Sequence, residues 1–286
     1  MESSITRPSF DEALERAAQR GDEWQFGAIL TDIATVPVTS RLRYLPRGVV
    51  QRNNVMDTNG CASRAPLNLL ETKLNFLYDN GMHPVLKKWC DDNGYRINGS
   101  FALADAFIEI LSNTTRSGNG LKQPVDAIRK FGVIPMHLLP LKDGMTWDEY
   151  MDKDRILPQH LDLGQEFLKR FPIAYEQVVA ADFGKTGTML DVGVHGWPFP
   201  NDLGVYERTD NPFNHACAYI TADIYANDSY DPFLKRLAQD YRFFDWGYRL
   251  AITSQNPDPT GAIRLGLLQQ VLITISRLLD AIRGVR

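Results

Sequence analysis

The sequence predicts an α+β fold, because helical spacing dominates its first half and strand-like texture its second. From Cys61 onward, Ala62, Ala65, Leu69, Leu70, Leu74 and Leu77 recur every three or four residues, the period of a largely buried helix. After about residue 185, the segments 188–194, 215–225 and 247–253 are rich in β-branched and aromatic residues and lie between Gly, Pro and Asn turns. At 286 residues and 44% hydrophobic content, the chain is long enough for one two-lobed domain or two small ones.

The elements follow in order. Ser9-Phe-Asp-Glu12 is a capping box, predicting a helix to Arg20 with Gly21 as its stop. Residues 36–60 carry little helical period and many turn formers, and read as an extended lead-in. The helix that begins at Cys61 ends at Asn80-Gly81. A second follows Ser100, with Leu103, Phe107, Ile110 and Leu111 on one face. A third runs from Pro124 to Gly132 and buries Val125 and Ile128. The Lys and Arg residues between Leu234 and Arg242 read as the solvated face of a helix. At the end of the chain, Leu268, Leu272, Ile275, Leu279 and Ile282 form a heptad seam over 265–282. That helix is expected to dock on its own domain, with another subunit or a partner helix as the alternatives.

Composition narrows the function. A net charge of -4 provides no broad basic footprint, which argues against nucleic acid as the main partner. Three cysteines are too few and too odd a number for a disulfide framework. Cys90 and Cys217 read as small buried hydrophobes, and the chain as a soluble protein of a reducing compartment. The first 20 residues lack the apolar core of a signal peptide. The longest uncharged apolar stretch, between Arg264 and Arg277, is shorter than the about 20 residues a membrane span needs. No C-x-x-C, H-E-x-x-H or aspartate-rich calcium loop occurs, so no metal or cofactor is expected. Gly118-Asn-Gly120 and Gly184-Lys-Thr-Gly187 read as turns rather than phosphate loops. His83, His137, His160 and His195 read as surface or hydrogen-bonded residues, with a place beside a substrate groove as the alternative for His195.

Cys61 is different. A thiol in the first turn of a helix meets unpaired N–H groups and the positive end of the dipole, which favour thiolate, the reactive form. An imidazole nearby would complete an ion pair and later protonate a leaving group. The Cys61 N–H itself could serve a developing oxyanion.

Several segments, in order, resemble the papain-like (C1) cysteine peptidases. Leu45-Pro46-Arg-Gly-Val-Val-Gln51 resembles the extended approach to that family's glutamine, and Gly60-Cys61-Ala62-Ser63 its G-x-C-W-A nucleophile. Gly132-Val133-Ile134-Pro135 is similar to G-[IV]-x-P-E, and Gly204-Val205-Tyr206 with Asn214-His215-Ala216-Cys217 to the run that carries the histidine. Asp228-Ser229-Tyr230 stands where the family has N-S-W, and Trp246 to Ile252 resembles its closing strand.

The resemblance implies a two-lobed fold over residues 45–262, with a helical lobe at 45–180 and a β-rich lobe at 181–262. Residues 1–44 would be an N-terminal helix and lead-in, and 263–286 the C-terminal amphipathic helix. It further implies a cleft that takes a peptide or protein substrate, Cys61 as nucleophile, His215 as its base and Asp228 as the group that orients the ring. Asn227 is the alternative to Asp228, and Tyr230 replaces the shielding tryptophan. Gln51 is implied as the oxyanion donor, although ten residues separate it from Cys61, where the family has only a few. Asn54 and Asn59 also carry amide donors there. About 45 residues precede the similar region, fewer than the family's usual prosegment, so control is expected from a partner, assembly or compartment. The competing expectations are a structural protein of this fold inside a larger assembly such as a virion, and another thioester chemistry such as acyl transfer.

Overall fold

The computed structural model describes residues 32–47, 51–179, 188–192, 199–210, 212–221, 225–241 and 243–253. The helices expected over 9–20 and 265–282, the turn at 184–187 and His195 lie outside the described residues. The fold is α+β. Helices occupy most of the first part: α1 (Cys61–Asn80), α2 (Pro84–Asp92), α3 (Asp105–Leu111), α4 (Lys122–Phe131), α5 (Trp147–Tyr150) and α6 (Pro158–Arg170). A small hairpin, β1 (Arg96–Ile97) and β2 (Ser100–Phe101), interrupts them. None of the described helices is long and apolar enough to cross a membrane.

A seven-stranded sheet follows, built from β3 (Ile173–Val179), β4 (Thr188–Val192), β5 (Val205–Tyr206), β6 (His215–Thr221), β7 (Tyr225–Asn227), β8 (Leu234–Leu237) and β9 (Phe243–Ile252). Its order is β3-β9-β4-β6-β7-β8-β5, antiparallel except for the β5–β8 pair. Alternation along β6 divides two cores. Ala216, Ala218 and Ile220 join the large core under the helices, whereas Cys217 and Tyr219 join a smaller cluster with Tyr206, Leu237 and Tyr241. The large core includes Leu70, Leu74, Phe107, Ile128 and Phe167, each buried and each contributing roughly 1.5–3 kcal/mol.

Four expectations need correction. The lead-in is not extended throughout, because Val38–Tyr44 winds into a 3₁₀ helix. The large sheet begins at Ile173 rather than after about residue 185, since β3 pairs with β9 from Ile173↔Ile252 to Val179↔Trp246. α2, α5 and α6 add helices to the three expected, α5 behind the Thr146–Glu149 capping box. The basic segment after Leu234 is a strand, β8, and Lys235 in it is buried.

Residues 32–36 are tied down by a buried ion pair. Lys73 of α1 is 1% exposed, and its Nζ donates to Asp32 Oδ2 at 2.5 Å and to the Ala34 carbonyl at 3.3 Å. Asp32 Oδ1 in turn accepts from the backbone N–H groups of Ala34 and Ile252. One carboxylate thus links the entering chain, the central helix and the last strand. Lys73→Met, which leaves that carboxylate without its cation, is expected to lower the unfolding free energy by about 3–5 kcal/mol. The Asp32→Asn/Lys73→Met double variant should lose much less. Urea unfolding of wild type and the two variants measures this, and equal losses in the single and double variants would refute it.

Candidate functional site

The site forms where the start of α1 meets the start of β6. Gly60 precedes the helix and packs against the buried carboxyl of Glu109, so closely that a Cβ there would lie 2.1 Å from Glu109 Oε1. Only glycine fits. Cys61 is the first residue of α1 and is half-buried, where its thiol meets the helix N-terminus.

The Cys61 sulfur is hydrogen-bonded to the His215 ring and to the Ala216 backbone N–H. His215 opens β6, and its Nε2 lies 2.6 Å from Asp228 Oδ1. With Nε2 committed, Nδ1 is the ring nitrogen left for the sulfur. Asp228 also accepts the Ser229 N–H at 2.7 Å on the same oxygen and faces Lys235 Nζ at 2.7 Å with the other. The chain order is therefore thiol, imidazole, carboxylate, ammonium.

The electrostatics follow from these contacts. Burial pushes the Cys61 thiol up, but the His215 charge, its hydrogen bond and the Ala216 N–H outweigh it, and the thiol sits below its ordinary value. Burial alone would lower His215, yet Asp228 and Cys61 raise it to about 10. Asp228 is held below the usual carboxylate range: burial opposes ionisation, while His215 and then Lys235 favour it. The other two thiols behave oppositely. Burial pushes Cys90 up to about 12 and Cys217 well above its ordinary value.

Of the residues expected from the sequence, Cys61, His215 and Asp228 are brought together. Asn227 is turned elsewhere, donating to the Phe233 carbonyl at 3.1 Å. Tyr230 packs its ring 5.5 Å from the His215 ring. Gln51 lies close by and is 1% exposed, but both of its amide hydrogens are committed. One goes to Asp57 Oδ1 at 2.9 Å and the other to the Tyr230 hydroxyl at 2.5 Å, which itself donates to Asp57 Oδ2. Ser229 Oγ donates to Gln51 Oε1, completing the mooring. Asn54 accepts from Gly144 N–H, and Asn59 donates to the Arg116 carbonyl. His83 and His160 accept backbone N–H groups through Nδ1 near the starts of α2 and α6.

Two features escaped the sequence reading. Asp57 is a carboxylate in the stretch between Gln51 and Cys61, and its role as an acceptor for Gln51 and Tyr230 depends on the fold. Lys235 sits in a basic segment, and only the alternation exposed–buried–exposed–buried along β8 marks it as inward. A hollow of about 230 Å³ lined by Arg52, Asn53, Asp105, Met136, Leu141 and Tyr150 contains neither Cys61 nor His215.

No family model matches the chain, and no curated protein matches it. Among solved structures it is similar to xylellain, a cysteine protease from Xylella fastidiosa, at 14% identity and a TM-score of 0.46, over 78% of this chain and 92% of that one. A likeness this distant says nothing of chemistry, which rests on the side chains themselves.

Proposed function

We propose that the chain is a papain-like cysteine peptidase whose two lobes, helical and β-rich, meet at a cleft that takes an extended peptide. One observation carries the reading: a thiol at a helix N-terminus is bonded to an imidazole whose far nitrogen is held by a buried carboxylate. The Cys61 thiolate attacks the scissile carbonyl carbon, and the carbonyl π pair moves onto oxygen. The Cys61 N–H stabilises that oxyanion. As the tetrahedral species collapses, the C–N bond breaks, the His215 imidazolium protonates the departing amine, and a thioester remains. Water then attacks the thioester as His215 removes its proton, which is returned to the Cys61 sulfur as the acid departs. Asp228 keeps the ring in the orientation that turns Nδ1 to sulfur. Gln51 joins the oxyanion site when one of its N–H groups leaves Asp57 or Tyr230.

That last requirement favours a second reading, a structural protein of the same fold with little turnover, because Gln51 is moored at both hydrogens. Alkylation by iodoacetamide, mapped by mass spectrometry against pH, tests the ion pair on which the first reading rests. Cys61 should react at pH 6 while Cys90 and Cys217, both pushed up, stay unmodified. In His215→Ala the Cys61 rate at pH 6 should fall roughly 10²-fold or more, since an ordinary thiol with pKa near 8.5 is under ~1% ionised there. A Cys61 no faster than the two buried thiols would defeat the peptidase reading.

A further inference from the structure

Asp228 brings a difficulty as well as an orientation. An unbalanced carboxylate at this place would stabilise the imidazolium but oppose the thiolate, and Asp228 does push the Cys61 thiol upward. Lys235 answers it. Its side chain is 2% exposed, and its Nζ donates to the Tyr230 carbonyl at 2.8 Å and the Pro232 carbonyl at 2.9 Å and is ion-paired with Asp228 Oδ2 at 2.7 Å. The ammonium also lies 5.7 Å from the centre of the Tyr206 ring. A lysine this deeply buried carries a heavy desolvation cost unless its charge is matched. Here the charges close: thiolate and imidazolium cancel, and carboxylate and ammonium cancel.

We infer that Lys235 is a positioning residue of this site, neutralising Asp228 so that the pair orients His215 as an uncharged amide would. The inference rests on the peptidase reading and deepens it. Position supports it as well as charge. β8 pairs with β7, and the turn between them carries Asp228, Ser229 and Tyr230. By bonding to the Tyr230 and Pro232 carbonyls, Lys235 also holds the turn that delivers the carboxylate. The titratable groups around the pair are Cys61 on α1, His215 and Cys217 on β6, Tyr206 on β5, Tyr230 and Asp231 on the turn, and Tyr241. The cations acting on Asp228 are His215 and Lys235.

The test is a cycle of Lys235→Met, Asp228→Asn and the double variant, read by the pH profile of Cys61 alkylation and by peptide hydrolysis. Lys235→Met should move the acid limb of the alkylation profile up by about one pH unit, which is about tenfold in rate on the steep part of that limb. In the Asp228→Asn background the same change should do almost nothing, because there is no carboxylate left to neutralise. An unmoved acid limb, or an equal loss in both backgrounds, would overturn the inference. If Lys235→Met fails to fold, the double variant should still fold and follow the Asp228→Asn profile; a double variant that also fails would overturn it equally. Wild-type protein separates the two levels. Absence of fast Cys61 alkylation there removes the peptidase reading, whereas a normal wild-type profile with an indifferent Lys235→Met removes Lys235 alone.

Discussion

Cys61→Ser is expected to abolish peptide hydrolysis, and His215→Ala to lower kcat/KM by about 10⁴-fold or more. Serine is a far weaker nucleophile here, since no group beside it lowers a hydroxyl pKa into the range where His215 would ionise it outright. Alanine at 215 removes both the charge that sustains the thiolate and the proton the leaving amine needs. KM should change little in His215→Ala, because the imidazole is not expected to supply binding that is uniform between ground and transition states. The two losses should not add: with the thiolate gone there is nothing left for the imidazole to assist, so the double variant should resemble Cys61→Ser. Hydrolysis of a fluorogenic peptide library by the four proteins provides the measurement. The rate should also fall on the alkaline side near pH 10, as His215 loses the proton it donates. Turnover retained in Cys61→Ser would assign the chemistry to some other group and end the proposal.

The parts of this site that the sequence discloses share one physical property: their signals are local. Cys61 stands at the head of a helix because apolar spacing announces Cys61–Asn80 and Gly81 ends it. His215 stands at the head of a strand because Ala216 to Ile220 alternate between two cores. Lys235 has no such signal. Lys235 and Arg236 are indistinguishable by composition, and the fold decides that the first turns inward while its neighbour stays exposed. β3 was hidden for the opposite reason, as Ile173 to Val179 mixes apolar residues with Glu176 and Gln177 and becomes a strand through its pairing with β9. The state of Gln51 is non-local too. Its spacing from Cys61 is legible, but its mooring requires Asp57 from the intervening loop and Tyr230 from 179 residues away.

Stability should fall as pH rises from about 5 to about 8, and Glu109→Gln should remove the share of that slope that Glu109 contributes. Glu109 of α3 is fully buried behind Gly60, with Thr58 Oγ1 donating to its Oε1 at 3.4 Å and Arg64 Nε at 3.8 Å from the same oxygen. Arg64 is the nearer partner of Asp105, at 2.9 Å. Burial therefore dominates and pushes Glu109 up to about 8, with Arg64 only partly opposing it and Asp105 adding to it. The sign follows. Between the ordinary value of 4.5 and about 8, the native state holds a proton that the unfolded state has released, so each step up in pH favours unfolding. The span corresponds to at most about 5 kcal/mol, complete above pH 8 and absent below the unfolded value. Glutamine keeps the shape and the neutrality without a proton to lose, so the variant should be several kcal/mol more stable than wild type at pH 8 and similar to it at pH 5. Urea unfolding at the two pH values decides the matter, and parallel slopes for both proteins would refute it. The consequence reaches the nucleophile. A carboxyl that stays protonated beneath Gly60 leaves the positive end of α1 to the Cys61 thiolate alone, so the Glu109→Gln alkylation profile should overlay that of wild type below pH 7.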